Sequence, residues 1–142
     1  MSERTRSIGV SYQAHVQNLG WMDTVSNGAV AGTTGQGLRL EALRVWLDNA
    51  PQGMRIGYQA KVEGIGWQSV VFDGAEAGTT GQSKAIDDLR IWLVDPPQGM
   101  HVLYQAHVQD LGWLREVTDA QVAGTPEGNK RIEAVRIQLT GP

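Results

Sequence analysis

Three copies of one 46-residue unit follow one another along this 142-residue chain without insertion or deletion. Aligning Tyr12, Tyr58 and Tyr104 brings the copies into register as YQAHVQNLGW, YQAKVEGIGW and YQAHVQDLGW. Only twelve of the 46 positions are identical in all three copies, so the copies have diverged widely. The residues that they retain therefore mark positions that matter for the fold or the function. We therefore predict a single domain over residues 1–142 whose function is repeated and multivalent. Its repeats are 7–52, 53–98 and 99–142.

Each copy has the alternation of β structure. In the first copy Val10 and Tyr12 alternate with Ser11, which is the period-two pattern of a half-buried strand. The apolar run LEALRVWL alternates as well, and a break in its parity predicts a bulge near Ala42–Leu43. Asn27-Gly28 can take positive φ at both centres of a tight hairpin turn, as can its counterpart in the second copy.

The fold follows from the need to bury these strands. A lone unit of this size leaves strand edges unpaired and has too little core. An open solenoid needs polar end repeats, whereas the first and last copies keep the same apolar positions. We therefore predict an all-β, threefold pseudosymmetric closed domain. A β-trefoil is favoured, and a three-sided β-prism is the alternative.

Composition excludes several classes of protein. The chain has no cysteine, so a disulfide framework and a cysteine-based metal site are excluded. A net charge of −3 argues against binding to nucleic acid or an anionic membrane. No apolar run is long enough to span a bilayer, so membrane insertion is not expected. MSERTRSIGV has no apolar segment of a secretory signal, and the compartment stays open, with action outside the cell or at its surface included.

The signature YQAHVQNLGW, followed by NGAVAGTTGQ and LRLEALRVWL, resembles the ChW repeat, a clostridial hydrophobic repeat with a conserved tryptophan. The chain is also similar to small actinobacterial hemagglutinins of three such repeats, which bind simple sugars such as rhamnose and galactose. This resemblance implies a multivalent lectin with up to three equivalent shallow sites. We expect no metal and no cofactor. Its partners would be mono- or oligosaccharides on glycans.

Two copies depart from the signature. The second has Lys61 where the others have histidine, and the third has TPEG in place of TTGQ and Ala120 in place of the turn glycine. If each copy holds a site, these departures make the third copy the one in which a site is least expected.

The candidate sugar-binding residues occupy six equivalent positions in each copy. They are His15, Trp21, Asn27, Gly32, Thr33 and Glu41 in the first copy, Lys61, Trp67, Asp73, Gly78, Thr79 and Asp87 in the second, and His107, Trp113, Asp119, Gly124, Thr125 and Glu133 in the third.

Each position has a binding interpretation and a structural one. The indole suits the apolar face of a sugar, and equally a core anchor where three units meet. Asn or Asp at the turn can accept from two hydroxyls, and equally suits the turn itself. The glycine lets backbone approach a ligand, and the threonine adds a hydroxyl. The outward His or Lys can donate to a ligand, but lysine at one of three positions argues against a metal site.

Two further features remain as alternatives. Glu41 precedes Arg44 by three residues, and across a bulge the two side chains can pair on one face. The outward Trp46 and Trp92 suit either a second sugar platform or a homodimer patch.

The leading alternative to a lectin is a structural or cell-surface protein-interaction module. An enzyme is not expected. Acid–base catalysis needs groups whose different surroundings push their pKa values apart, whereas threefold repetition supplies near-identical surroundings.

Overall fold

The structure is a computed structural model that describes residues 7–125 and 129–141. All regular secondary structure in these ranges is β, and each copy contributes two long strands and three short ones. The first copy holds β1 (Gly9–Val16), β2 (Gly20–Trp21), β3 (Val25–Ser26), β4 (Ala31–Gly32) and β5 (Leu40–Asp48). The second holds β6 (Arg55–Val62), β7 (Gly66–Trp67), β8 (Val71–Phe72), β9 (Ala77–Gly78) and β10 (Ile86–Val94). The third holds β11 (His101–Val108), β12 (Gly112–Trp113), β13 (Val117–Thr118), β14 (Ala123–Gly124) and β15 (Ile132–Thr140).

The all-β prediction is confirmed. The predicted departure of the third copy at residues 126–128 and the interpretation of the first six residues lie outside the described ranges.

The strands form three five-stranded sheets, and each sheet takes one short strand from the next copy. In the first copy β1 pairs with β2, β3 and β5, and β5 also pairs with β9 of the second copy. In the same way β10 pairs with β14 of the third copy, and β15 pairs with β4 of the first. The pairing therefore runs around all three copies, which agrees with threefold pseudosymmetry. Across the described ranges the sheets stay separate, and no ladder joins them into one closed barrel.

A β-bulge interrupts the ladder between the two long strands of each copy. His15 lies opposite Ala42 and Val16 lies opposite Leu40, so Glu41 is the extra residue. The predicted bulge is therefore present, beginning one residue earlier than expected. The bulged residue is Asp87 in the second copy and Glu133 in the third. Since a bulge re-aims its side chain, it sets the direction of the carboxylate in each copy.

The core is one cluster to which all three copies contribute, and its largest fully buried side chains are Tyr12, Tyr58 and Tyr104. Each hydroxyl donates to a carbonyl in the turn of its own copy. The Tyr12 hydroxyl also accepts the backbone N–H of Ile137 at 3.0 Å, and that of Tyr58 accepts from Val45 at 3.1 Å. Burial raises the pKa of all three hydroxyls, that of Tyr104 to about 12, so they remain protonated. The tyrosines thus join consecutive copies.

The predicted hairpin turn is also confirmed. Asn27 and Gly28 have φ of 50° and 89°, and the second copy repeats these values. In the third copy Ala120 takes φ of 72° without the freedom of glycine. The Gly28 N–H donates to the Ile137 carbonyl at 2.7 Å, so the turn too connects its copy to the preceding one.

Candidate functional site: the tryptophan clusters

Five side chains gather on the outer face of the first sheet. His15 lies opposite Trp21 on the β1–β2 ladder, and the two rings meet edge-on with centroids 5.2 Å apart. The Glu41 carboxylate is held from both sides, with His15 Nδ1 3.1 Å from Oε1 and Arg39 Nε 2.9 Å from Oε2. The Arg44 guanidinium lies over the Trp21 ring, 4.0 Å from its centroid. We call these five residues the tryptophan cluster of the first copy.

The expected pairing of Glu41 with Arg44 is wrong. The bulge directs the Glu41 carboxylate to His15 and Arg39, while Arg44 stacks on Trp21 as a cation–π contact.

The tryptophans lie outside the hydrophobic core, contrary to the core-anchor interpretation. Trp21 and Trp113 are half-buried, and Trp67 is 36% exposed. The tyrosines occupy the place where the units meet, because their rings are buried and their hydroxyls reach the neighbouring copy. The tryptophans are therefore surface residues with one face covered by arginine.

The third copy repeats the cluster closely with His107, Trp113, Arg131, Glu133 and Arg136. The two rings are again 5.2 Å apart, and Arg136 lies 3.9 Å from the centroid of the Trp113 ring. His107 Nδ1 is 3.2 Å from Glu133 Oε1, and Arg131 Nε is 3.7 Å from Oε2. By this geometry the third copy is not the one that differs most.

The second copy departs from this arrangement. Lys61 replaces the histidine, and its Nζ lies 3.9 Å from Oδ2 of Asp88 instead of holding Asp87. Ala85 stands where the other copies have the arginine that pairs with the carboxylate. Arg90 still covers Trp67, at 4.3 Å from the ring centroid.

Asp88 is absent from the site residues that the sequence predicted. It is 3% exposed, and burial raises its pKa to about 6, although Lys61 acts in the opposite direction. The signal was present in the sequence. The second copy alone replaces His by Lys61 and Ala by Asp88, and these positions lie opposite each other on β6 and β10.

The glycine and threonine of each copy lie against the cluster of the preceding copy. The Thr33 N–H donates to the Glu133 carbonyl at 3.2 Å, and the Thr79 N–H donates to that of Glu41 at 2.9 Å. A Cβ atom on Gly78 would overlap the Glu41 carbonyl. Glycine therefore allows close approach to the neighbouring strand. The hydroxyls of all three threonines are buried and have no hydrogen-bond partner in the described structure, and their role as sugar ligands stays a prediction.

This strand exchange also brings the third copy against the altered cluster of the second. Gly124 of the third copy pairs with Asp88 of the second. The altered loop that begins at Thr125 thus follows a strand packed on the cluster that carries Lys61.

The turn residues are not brought into the clusters. Asn27 Oδ1 accepts the backbone N–H of Val10 at 2.9 Å, and Asp73 and Asp119 do the same for their own copies at 3.0 and 3.1 Å. Val10 and His15 lie five residues apart on β1, roughly 16 Å in an extended strand. The turn interpretation is therefore confirmed, and a direct role in the same sugar site is not supported.

A model of the ChW repeat, described as Clostridial hydrophobic W, matches residues 15–49, 61–95 and 107–141. The chain belongs to the ChW family. No curated protein and no solved structure matches it. Each match starts at the outward residue of the first long strand, so each ChW repeat includes the cluster of its copy. The core tyrosine lies just outside each match.

Three further observations concern the rest of the described chain. Trp46 and Trp92 are half-buried, and lie opposite Ser11 and Gly57, outside the clusters. No group of three or more His, Cys, Asp or Glu residues able to hold a metal occurs within residues 7–125 and 129–141. The same ranges contain no helix that is long and apolar enough to cross a membrane.

Proposed function

We propose that this protein is a non-catalytic, multivalent carbohydrate-binding lectin whose sugar sites are the tryptophan clusters of the first and third copies. The observation that carries the proposal is that one arrangement occurs twice. In both copies a half-buried indole is covered on one face by arginine and is met at its edge by a histidine that contacts a buried carboxylate.

The chemistry of this arrangement suits a sugar. The part of the indole that arginine leaves open offers dispersion contact to the C–H groups of a pyranose and excludes water from them. The His15 side chain is 17% exposed and that of Arg39 is 20% exposed, so both polar groups are partly accessible, and His15 Nδ1 faces Glu41. The 3.1 Å contact between Nδ1 and the carboxylate lacks hydrogen-bond geometry, and Nε2 is the nitrogen that we propose for a sugar hydroxyl.

Two matched sites on one rigid body explain why repetition is useful. A shallow site for a single sugar binds weakly, but joint attachment to a surface that bears many sugars raises the avidity by orders of magnitude. The two clusters repeat the same groups in the same surroundings, which suits repeated binding better than acid–base catalysis. The β-trefoil and the β-prism both present three equivalent faces, so the proposal does not depend on that choice.

Titration calorimetry with rhamnose and galactose tests the proposal. We expect millimolar-to-micromolar binding at two sites per chain. Trp21→Ala and Trp113→Ala should each leave one site, and the double variant should leave none. Trp46→Ala, which removes an outward tryptophan outside the clusters, is the matched control and should keep both sites. Absence of binding to any neutral sugar, or equal loss in the control, would refute the lectin.

Agglutination provides an independent readout of multivalency. The wild-type chain should agglutinate cells, and each single-cluster variant should fail to do so while it still binds free sugar at one site. Urea unfolding of every variant distinguishes loss of a site from loss of the fold.

A protein-interaction module is the second candidate, and one observation favours it. Leu19, Ile65 and Leu111 occupy the same hairpin tip in each copy and are 52%, 51% and 53% exposed. Three aliphatic side chains at equivalent positions suit contact with a protein surface. The triple serine variant discriminates: under the lectin proposal it still agglutinates cells. If attachment to cells survives removal of their glycans and is lost in this variant, the interaction module is correct.

A further inference from the structure

A depression of about 540 Å³ lies where the second copy meets the other two. Residues of all three copies line it, and two of them, Arg39 and Arg131, belong to the tryptophan clusters of the first and third copies. The charged side chains in its lining are Arg39, Lys61, Glu63, Asp87 and Arg131, and Ala85 lies among them. Its volume is within the range of small-molecule sites in proteins.

The depression lacks an arginine that the other two copies have at the equivalent position. Arg39, Ala85 and Arg131 occupy the same position in successive copies. In the first and third copies the arginine pairs with the bulged glutamate, Glu41 or Glu133. In the second copy that arginine is replaced by Ala85, so the carboxylate at the bulge loses its guanidinium partner.

Asp87 is the carboxylate left without this partner. It is 9% exposed and lines the depression, and within the described part of the chain it makes no hydrogen bond or ion pair. Lys61, which replaces the histidine, is closer to Asp88. A buried carboxylate normally has a cation or hydrogen-bond donors beside it, because desolvation without them is costly.

When the ion pairs of the charged lining residues are taken into account, two carboxylates of the depression have no cation partner. Arg39 pairs with Glu41, Arg131 with Glu133, and Lys61 with Asp88, so the three lining cations each have an anion outside the depression. That leaves Asp87 and Glu63. Glu63 Oε1 accepts the Ala85 N–H at 3.0 Å, but Glu63 has no ion pair among the described residues. Burial, and after it the neighbouring Glu63, raise the pKa of Asp87, while Lys61 lowers it by less, so the carboxylate is only partly compensated.

We propose that this depression binds a small organic molecule through its guanidinium group, which takes the place of the arginine that the second copy lacks. The planar guanidinium matches a carboxylate with two parallel hydrogen bonds, as a compact ammonium does not. The site occurs once per chain, because only the second copy combines an alanine at this position with Lys61 and Asp88. It differs from the proposed sugar sites in its ligand and in the carboxylate that binds it, although Arg39 and Arg131 of the two clusters also line the depression.

Titration with methylguanidinium, followed by the amide chemical shifts of Glu63 and Ala85, tests this inference. We expect saturable shifts in the wild-type chain at constant ionic strength, and weaker ones with methylammonium. Ala85→Arg supplies the missing group from within the chain, as in the other copies, and should weaken binding by about tenfold or more. Asp87→Asn should do the same, while Ala75→Arg adds equal charge at an exposed position of the same copy and should bind as wild type.

The outcomes separate the alternatives. Shifts that are absent in the wild-type chain, or unchanged in Ala85→Arg, would overturn the proposal. Tighter binding of acetate than of methylguanidinium would also overturn it, because the depression would then select anions through Lys61 and the two arginines. Sugar binding at the clusters should persist in Ala85→Arg, so failure of this inference is distinguishable from failure of the lectin proposal.

Discussion

Lys61 and Asp88 face each other on the β6–β10 ladder, with Nζ 3.9 Å from Oδ2. The same pair of positions holds His15 and Ala42 in the first copy, and the third copy likewise has histidine opposite alanine. The second copy has therefore gained a cation and a buried anion at paired positions. Strand pairing explains why two differences far apart in the sequence occur in the same copy.

Replacing Asp88 by alanine should stabilise the protein near neutral pH. Burial raises the Asp88 pKa to about 6, above its usual value of 3.8. Between these values the folded chain holds a proton that the unfolded chain has lost, so the free energy of unfolding falls as pH rises through this window. Asp88→Ala removes this pH-dependent fall in the free energy of unfolding. Urea unfolding at pH 7.5 should show a gain on the order of 2 kcal/mol, shrinking toward pH 4.

The exposed Asp23 provides the control for this pH dependence. Asp23→Ala should leave the pH profile of stability nearly unchanged. If Asp88→Ala were less stable than wild type at pH 7.5, the pair with Lys61 would outweigh the desolvation of the carboxylate.

The turn of the third copy should gain stability from glycine. Ala120 has φ of 72°, where a Cβ atom is unfavourable, and its counterpart Gly74 has φ of 89°. Ala120→Gly should raise the free energy of unfolding by up to about 1 kcal/mol. Gly74→Ala should lower it by about as much, since a Cβ there meets no other atom within 4 Å. Thermal unfolding checks both, and a destabilised Ala120→Gly would contradict this account.

Removal of the Tyr12 hydroxyl tests whether the first and third copies contact each other. This hydroxyl accepts the N–H of Ile137 in the third copy, whereas the Tyr58 hydroxyl joins the second copy to Val45 of the first. Tyr12→Phe leaves a buried N–H unpaired and should cost about 1–3 kcal/mol. Tyr58→Phe should cost a similar amount. In denaturant unfolding, a much smaller effect of Tyr12→Phe would mean that the first and third copies do not meet.

Gly78 should tolerate a side chain far less well than Gly66. Both have positive φ, but a Cβ on Gly78 would overlap the Glu41 carbonyl of the first copy, whereas Gly66 faces open space. We expect Gly66→Ala to cost on the order of 1 kcal/mol from conformation alone. Gly78→Ala should cost on the order of 3 kcal/mol, because the strand between copies must shift. Equal costs in urea unfolding would show that β9 does not pack on β5.

Much of each unit could be predicted because local patterns carry the information. Alternation predicted the long strands, the Asn27-Gly28 dipeptide predicted the turn, and a break in parity predicted a bulge that the structure has at Glu41. Alternation indicates which residues share a face of a strand, and a turn dipeptide indicates which backbone conformations are accessible. Neighbours along the chain largely decide both properties.

The composition of the candidate site could be predicted only in part. His15, Trp21 and Glu41 do come together, but Asn27 is bound to Val10 at the far end of the strand. The partners of the carboxylate were also missed. The bulge sets the direction of its side chain, and alternation alone does not show whether Arg39 or Arg44 lies within reach.

The triplicate sequence by itself determined that the chain is all-β, that it belongs to the ChW family and that its surface features recur. Only the tertiary structure decided that each copy lends its glycine–threonine strand to the preceding copy. It therefore placed Thr79 on the first copy's cluster and Gly124 opposite Asp88 of the second copy. The reason is physical: periodicity within a unit is a local property, whereas pairing between units depends on which strand edges meet in space.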